Sequence, residues 1–196
     1  MGHFLDLQAY LDASYHLSIF DQAFDSKRYW ELHLHGHRIK RAMVTENLRY
    51  DVKLAFEGGG DDLIPKTHIK LLYPKDLAEF PKPLLKIERK VESLALESIT
   101  FTKDRFHIKN KSLYPLMKEN KVIFFTLLEG EIIRGIVSGF SRYEIAVNMK
   151  GGTPVTILRH AVYDLRDKKG RCYLKSFQEE HRDWEKSPLF VSTPSD

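Results

Sequence analysis

The chain of 196 residues contains a single cysteine, Cys172. One thiol cannot form an intramolecular disulfide, so a disulfide-stabilised fold is excluded and a reducing compartment is expected. No apolar run approaches the roughly 18 residues that a membrane span needs. The N-terminus has no cationic stretch followed by an apolar core, so we expect no signal peptide. These absences predict a soluble, cytoplasmic protein.

Motifs typical of enzymes are also missing. The sequence has no HExxH zinc motif, no nucleophile elbow and no Walker loop, and Cys172 lies in a charged stretch without an evident base. The glycine-rich segment 57–62 is not followed by Gly-Lys-Ser/Thr, so it predicts a hairpin. Histidines alternate over His33–His37, but we expect no cysteine or acidic partner that would complete a metal site with them. We therefore predict no enzyme, no cofactor and no metal site.

The composition that is present suits a folded protein with an anionic partner. Hydrophobic residues make up 42% of the chain and aromatic residues 12%, which is enough for packed cores and argues against disorder throughout. The formal net charge of +4 and a pI of about 9.0 favour polyanions as partners.

The densest strand pattern lies in residues 122–166. Five β-branched or aromatic segments follow one another with short turns between them: Val122–Leu128, Glu131–Val137, Tyr143–Met149, Val155–Leu158 and Ala161–Leu165. Gly139 suits the bend of one long curved strand, and Lys150–Gly152 is typical of a hairpin turn. Short strands so close together predict a small, strongly bent barrel.

Residues 28–74 repeat this pattern. The matches are Gly36 with Gly130, Arg49-Tyr50 with Arg142-Tyr143, and Ile64-Pro65-Lys66 with Ile157-Leu158-Arg159. The offset is 94 residues at the glycine and 93 from the tyrosine onwards. A register kept over so long a stretch predicts two copies of one small β-barrel.

The chain is thus expected to have five parts. They are a helical N-terminal segment (1–27), a first barrel (28–74), a proline-punctuated linker (75–111), a second barrel (112–167) and a C-terminal tail (168–196). Ser112 is the expected N-cap of a helix before the second barrel, and Cys172–Lys186 has a helical pattern. The predicted fold class is mainly β, with two five-stranded, strongly bent barrels, each preceded by a short helix, and a helical tail.

The second barrel resembles a known family. A short helix before five strands, with Gly130 in the first turn and Gly135 in the second strand, resembles the Sm-like (SH3-like) fold. Ile157–Val162 closely resembles the hydrophobic–Lys–His–Ala–Ile signature of the bacterial Sm-like RNA chaperones, the Hfq family. Gly139–Tyr143 resembles that family's segment ending in the aromatic residue on which uridines stack. The resemblance is strong over 112–167 and weak over 28–74, and implies an RNA chaperone with a tandem Sm-like repeat, active in post-transcriptional regulation.

The resemblance implies a uridine pocket on one ring face. Tyr143 would stack a base, Arg159 and His160 would hydrogen-bond the base edge and the backbone, and Arg142 would line the rim. An aromatic platform beside a guanidinium and an imidazole is also what single-stranded RNA recognition uses in general.

The first copy departs from this pattern. It keeps Arg49 and Tyr50, and Lys66 stands where the basic residue belongs. Thr67 occupies the histidine position and His68 follows one place later, which on a strand faces the other way. Its RNA-binding pocket is therefore a weaker expectation than that of the second copy.

Family members form six-membered rings by pairing edge strands, so two barrels per chain imply a trimer that forms a six-barrel pseudo-hexameric ring. Uridine-rich single-stranded RNA is the expected partner, bound on one face of this ring. The alternative is a ring-forming protein scaffold that kept the fold and lost RNA binding. Three local alternatives stay open: a plain charged turn at Arg159-His160, half-buried strand aromatics at Tyr50 and Tyr143, and a merely solvated basic run at Lys103–Lys111.

Overall fold

The computed structural model describes residues 2–174, with side chains from Asp6 onwards. The helices are α1 (Gly2–Ser14), α2 (Ile19–Ser26), α3 (Arg89–Glu92) and α4 (Asn110–Lys118). The strands are β1 (Tyr29–Leu34), β2 (Arg38–Asn47), β3 (Asp51–Phe56), β4 (Asp61–Pro65), β5 (Ile69–Pro74), β6 (Lys86–Ile87), β7 (Val122–Leu127), β8 (Glu131–Phe140), β9 (Glu144–Met149), β10 (Pro154–Leu158) and β11 (Val162–Asp167).

The strands form one continuous antiparallel sheet. Its order is β11-β7-β8-β9-β10-β5-β1-β2-β3-β4, and β6 pairs with the start of β8 beside this path. β10 and β5 join the two halves, with Thr156 opposite Leu72 and Ile157 opposite Leu71. Within residues 2–174 the path stays open at β11 and β4.

The prediction of two five-stranded barrels with a helical tail is therefore wrong. Each half has the expected five strands, but the free edge of β5 pairs with the other half instead of closing a barrel on itself. Backbone groups at a strand edge need a partner, and here the neighbouring half supplies it. Most of the helix predicted over Cys172–Lys186 lies outside the described residues, and Cys172 itself pairs with Arg166 across an antiparallel bridge.

The two halves repeat with a constant offset. β1 begins at Tyr29 and β7 at Val122, 93 positions later, and the same offset relates β2 to β8, β3 to β9, β4 to β10 and β5 to β11. The 3₁₀ turns Lys66–His68 and Arg159–Ala161 follow it as well. The structure thus places His37, not Gly36, at the position of Gly130, and both His37 and Gly130 have a positive φ.

The second strand of each half is ten residues long and irregular. The pairing of β2 with β3 shifts register between Val44 and Glu46, and that of β8 with β9 shifts between Val137 and Gly139. Such bulges bend a strand and increase its twist. β8 ends at Phe140 and β9 begins at Glu144, so the long curved strand expected through Gly139 is two strands.

Each half has its own hydrophobic core, and the cores meet at the joint. In the first half α2 packs on β2, and in the second α4 packs on β8. Leu71 and Tyr73 of β5 belong to the core of the second half, whereas Leu158 of β10 belongs to that of the first. This exchange of apolar side chains makes the β10–β5 joint part of both cores.

The linker 75–111 is packed against the second half. The Glu88 amide donates to the Gly130 carbonyl at 2.7 Å, and Val91 forms a buried cluster with Leu128 and Tyr163. A Cβ at Gly130, whose φ is +88°, would lie 2.7 Å from the Glu88 carbonyl oxygen. This close approach of two backbones requires glycine.

No helix in the described part of the chain is long and apolar enough to cross a membrane.

Candidate nucleic-acid interface

An exposed arginine–tyrosine pair precedes the third strand of each half. Tyr143 is 55% exposed, and the Arg142 guanidinium lies over its ring at 5.3 Å. Tyr50 is 67% exposed, and Arg49 lies over its ring at 5.1 Å. The alternative of half-buried strand aromatics does not fit these exposures. A large exposed aromatic face beside a fixed cation can stack a base and contact its phosphate.

In each half, the 3₁₀ turn before the last strand is hydrogen-bonded to the backbone of the tyrosine. The Arg159 amide donates to the Tyr143 carbonyl at 2.9 Å, and the Lys66 amide donates to the Tyr50 carbonyl at the same distance. These bonds link the basic residue of each motif to its aromatic residue through the backbone. The sequence match of Arg159 with Lys66 thus corresponds to an equivalent bond in both halves.

Arg159 is held inside the protein. Its guanidinium donates to the Ile108 carbonyl at 3.3 Å and to Asn110 Oδ1 at 2.9 Å, and lies 5.5 Å from the Phe140 ring centre. Burial lowers the pKa of Arg159 to about 10, which leaves it charged at neutral pH. A base contact from this side chain would need the segment that contains Ile108 and Asn110 to move.

His160 joins the halves. It is buried, and its Nε2 lies 2.9 Å from the Ile69 carbonyl oxygen of β5. A carbonyl can only accept, so Nε2 carries the proton and the ring is the Nε2–H tautomer. Burial lowers the pKa of His160 to about 4, so the imidazole is neutral at pH 7. In this arrangement the buried histidine ring ties the Arg159–Ala161 turn to β5 and does not present an edge to a ligand.

In the first half the basic residue, Lys66, makes different contacts from those of Arg159. The Lys66 ammonium donates to the Leu48 carbonyl and lies 5.3 Å from the Phe20 ring centre. Burial lowers its pKa. Thr67 stands where the second half has His160. The carbonyl of the following residue, His68, accepts a hydrogen bond from the His35 amide at 2.9 Å.

Glu144, which follows Tyr143, lies between the halves. Its carboxylate accepts from the Ile19 amide at 2.8 Å and from the Ser18 hydroxyl at 3.3 Å, at the N-terminus of α2. An acceptor at this place satisfies helix amides that otherwise have no partner. Burial raises the pKa of Glu144 to about 7, although these bonds and the charge of Lys66 act in the opposite direction. Nothing in the sequence singled out this residue.

The N-terminal segment also holds the loop that carries Tyr143. The Arg142 amide donates to the Tyr15 carbonyl at 3.1 Å. The Tyr10 hydroxyl lies 2.9 Å from the Phe140 carbonyl oxygen and 2.6 Å from the Phe140 amide nitrogen. Together with Glu144, these contacts fix both ends of the loop, which makes the exposed tyrosine a supported platform.

The linker adds a cation that the sequence did not single out. Arg105 lies within electrostatic range of Tyr143 and His160. It donates to the Ile99 carbonyl at 3.3 Å and to the Thr100 carbonyl at 2.9 Å. It belongs to the basic run Lys103–Lys111, whose auxiliary RNA-binding role stays a prediction.

A charge cluster lies elsewhere between the two halves. His37, Glu129 and Glu131 offer ligand atoms within 4.8 Å of one another. The Lys70 ammonium pairs with both carboxylates, so a cation from the chain itself already lies there. We assign this cluster as an ion-pair contact between the halves. The acidic partner of His35 and His37 is Glu129 of the second half, 92 residues from His37, whereas that of His33 is Glu31, which lies 3.9 Å away in the same strand.

A basic cavity of about 570 Å³ lies at the far end of the sheet. Its lining consists of Lys121, Val122, Arg134, Asp167, Lys168, Lys169 and Arg171. Five cationic side chains against one carboxylate could attract phosphate by charge alone. No exposed aromatic residue belongs to this lining, so the cavity lacks a surface on which a base could stack.

Comparisons with protein-family models, curated proteins and solved structures give no match.

Proposed function

We propose that the chain is a cytoplasmic RNA-binding protein of the Hfq type, without enzymatic activity, that binds uridine-rich single-stranded RNA and acts in post-transcriptional regulation. The observation that carries the proposal is the repeated exposed pair, Arg142 over Tyr143 and Arg49 over Tyr50. Both tyrosines present an exposed aromatic face on which a base can stack. Their recurrence at one position in both halves supports a shared binding role.

The division of labour follows from exposure. Tyr143 and Tyr50 stack one base each, and Arg142 and Arg49 contact phosphate or the rim of the base. Stacking of one base contributes about 1–3 kcal/mol. Two platforms in one chain bind one strand more tightly than either platform alone, because the second contact forms at a high effective concentration.

The less exposed residues of the site, Arg159, His160 and Lys66, act indirectly. Arg159 and Lys66 hold the loops that carry the tyrosines through backbone bonds and supply positive charge, whereas the neutral His160 ring binds the Ile69 carbonyl of β5. Arg159 reaches a base directly only when Ile108 and Asn110 release it. The preference for uridine rests on the resemblance of the Arg159-His160-Ala161 segment to the family signature.

The deciding experiment is binding of oligo-U and oligo-A to the purified full chain across a salt series. We expect oligo-U to bind more tightly at 100 mM salt and the Tyr143→Ala variant to weaken oligo-U binding about 5- to 100-fold, since one stacked base is lost. His160→Ala is expected to weaken it indirectly, because the bond from His160 to Ile69 holds the turn whose Arg159 amide binds the Tyr143 carbonyl. Phe80→Ala is the matched control, because Phe80 is an exposed aromatic (59%) on another part of the surface.

Two results would contradict the proposal. If Tyr143→Ala and His160→Ala leave oligo-U affinity unchanged, the site assignment is wrong. If binding is steeply salt-dependent and indifferent to base, backbone contacts alone explain it, and the basic cavity becomes the better candidate.

The alternative is a ring-forming scaffold that has lost RNA binding. It is favoured by the divergence of the first half, where Thr67 replaces the histidine. Absence of binding to either oligomer at 100 mM salt would establish this alternative over the RNA-binding proposal.

We also propose that copies of the chain associate through their sheet edges, with a trimer as the closed form. The β10–β5 joint supports this, because it demonstrates that the edge of a fourth strand and that of a fifth strand are compatible. A mass of one chain by light scattering at micromolar concentration would exclude the trimer under those conditions.

A further inference from the structure

The β10–β5 joint defines which residues two outer edges would bring together. In the joint, Thr156 lies opposite Leu72 and Ile157 opposite Leu71. The constant offset of 93 residues places Leu63 and Ile64 of β4 at the positions of Thr156 and Ile157. It places Leu165 and Asp164 of β11 at the positions of Leu72 and Leu71. The β4 edge of one chain and the β11 edge of another therefore carry equivalent positions.

The β11 edge is already covered by the chain itself. After the turn at Gly170, whose φ is +80°, the chain reverses direction. Cys172 pairs with Arg166, and the Tyr173 amide donates to the Leu165 carbonyl at 2.9 Å. The Asp167 amide donates to the Arg171 carbonyl at 3.1 Å. Arg171–Leu174, the covering strand, thus lies where β10 lies on β5.

The β4 edge is exposed but carries charge. The Leu63 amide donates to Asp62 Oδ1 at 2.8 Å, so it faces away from β3 and towards the open edge. Leu63 is 50% exposed. Asp61 and Asp62 stand where β10 has Pro154 and Val155. Charged side chains on an edge strand are a common means of discouraging uncontrolled pairing.

We propose that the covering strand Arg171–Leu174 is exchangeable: it occupies the β11 edge in the free chain and is replaced there by β4 of a second copy when chains associate. This inference rests on the assembly part of the proposed function and is independent of RNA binding. The covering strand competes from within the same chain, at a high effective concentration. Association of the wild-type chain is therefore weak and depends on concentration.

The test is self-association of the full chain by sedimentation equilibrium over a range of concentrations, without RNA. Tyr173→Pro removes the amide that the covering strand gives to Leu165, because proline has no N–H. We expect this variant to associate at least tenfold more tightly than the wild type. Adding Leu63→Pro should return the mass to that of the wild type, since it removes an edge amide without breaking a bond to β3.

Gly170→Val is the second variant and does not alter the side chains of the covering strand. A β-branched residue is strained at a φ of +80°, so the turn is expected to open and association to tighten as well. If circular dichroism shows that Tyr173→Pro does not fold, Gly170→Val takes its place in the test. Two outcomes would overturn the proposal: folded variants that associate no more tightly than the wild type, or a Leu63→Pro/Tyr173→Pro double variant that remains associated. Neither outcome depends on whether the chain binds RNA.

Discussion

The two halves of the sheet share their strands but differ where they meet. Each has five strands in the same order, at a constant offset of 93 residues, and each presents an arginine–tyrosine pair to solvent. At the joint, however, the first half contributes Lys70 where the second has Tyr163, and the second contributes His160 where the first has Thr67. The platform is the part that both halves keep, and the joint is the part in which they have diverged.

This difference has a physical basis. A joint between two unlike halves places each strand in an environment that its counterpart does not share. β10 is mostly buried against β5, whereas β4 is exposed and acidic. Buried joint positions are constrained by packing and by ion pairing, and the exposed tyrosines have no such constraint. Their presence in both halves is the feature on which the proposed binding of RNA rests.

The largest effect on this comparison is expected from Lys70→Met. Lys70 is fully buried and pairs with Glu129 and Glu131 across the joint. Removal of a buried cation leaves two carboxylates without compensation and costs about 3–5 kcal/mol. Urea denaturation measures the loss. Lys53→Met is the matched control, since its pair with Asp61 is exposed and screened by solvent, so its loss is expected to be much smaller. Equal losses in the two variants would contradict the assignment of the charge cluster as an ion-pair contact between the halves.

A smaller loss is expected from Gly135→Ala in β8. A Cβ at Gly135 would lie 2.5 Å from the Asn148 carbonyl oxygen and from Val147 Cγ1, so backbone must move. Overpacking of this kind costs about 1–3 kcal/mol. The equivalent residue of the first half is Ala42, a fully buried residue whose Cβ is accommodated there. Ala42→Gly, measured in the same denaturation series, tests whether the two positions differ as described. An unchanged stability of Gly135→Ala would show that β8 and β9 are less close than stated.

The pH dependence of stability should distinguish Glu144 from its counterpart. Burial raises the pKa of Glu144 from 4.5 to about 7. The contribution to stability is therefore complete below pH 4.5 and is lost as the pH rises through 7. Glu144→Gln removes this loss, so the variant should gain up to about 2 kcal/mol relative to the wild type between pH 5 and pH 8.

Asp51→Asn is the control for this experiment. Asp51 begins β3 at the position of Glu144 and is half-buried. Denaturation at several pH values compares the two variants. A stability difference between Glu144→Gln and the wild type that stays constant from pH 5 to pH 8 would contradict the buried, helix-capping role of this carboxyl.

The smallest difference is expected between the two platforms in RNA binding. Tyr143→Ala and Tyr50→Ala should each weaken oligo-U binding by about 1 kcal/mol or more, because each removes one stacked base. The effect of Tyr143→Ala should be the larger, since Arg105 interacts electrostatically with Tyr143 and adds a further cation on that side. Fluorescence anisotropy measures both variants. If only Tyr50→Ala lost affinity for oligo-U, the first half would contribute more to binding than the second, which contradicts the expected order.

The strands and their repeat could be predicted from the sequence, whereas their closure could not. β-branched and aromatic runs between glycine turns mark strands, and the repeated Arg-Tyr and basic residues mark the register. Alternation of side chains is the same whether the edge of β5 pairs with its own half or with the next one. The barrel prediction failed on that point.

The site was predictable in its exposed part alone. Tyr143 and Tyr50 follow arginine at turns, and this local pattern is enough to suggest platforms. The burial of His160 against Ile69 and the capping of α2 by Glu144 come from contacts between segments 91 and 125 residues apart. Such tertiary contacts leave no periodic signal in the sequence. The same holds for the electrostatic interaction of Arg105 with Tyr143.

The most direct test of the RNA-binding claim is photo-crosslinking of the full chain to an oligo-U containing 4-thiouridine, followed by mass spectrometry of the crosslinked peptides. The account predicts crosslinks at both platforms, in peptides that contain Arg142-Tyr143 and Arg49-Tyr50. Crosslinks confined to the basic cavity at Lys121, Arg134 and Lys168–Arg171 would contradict it.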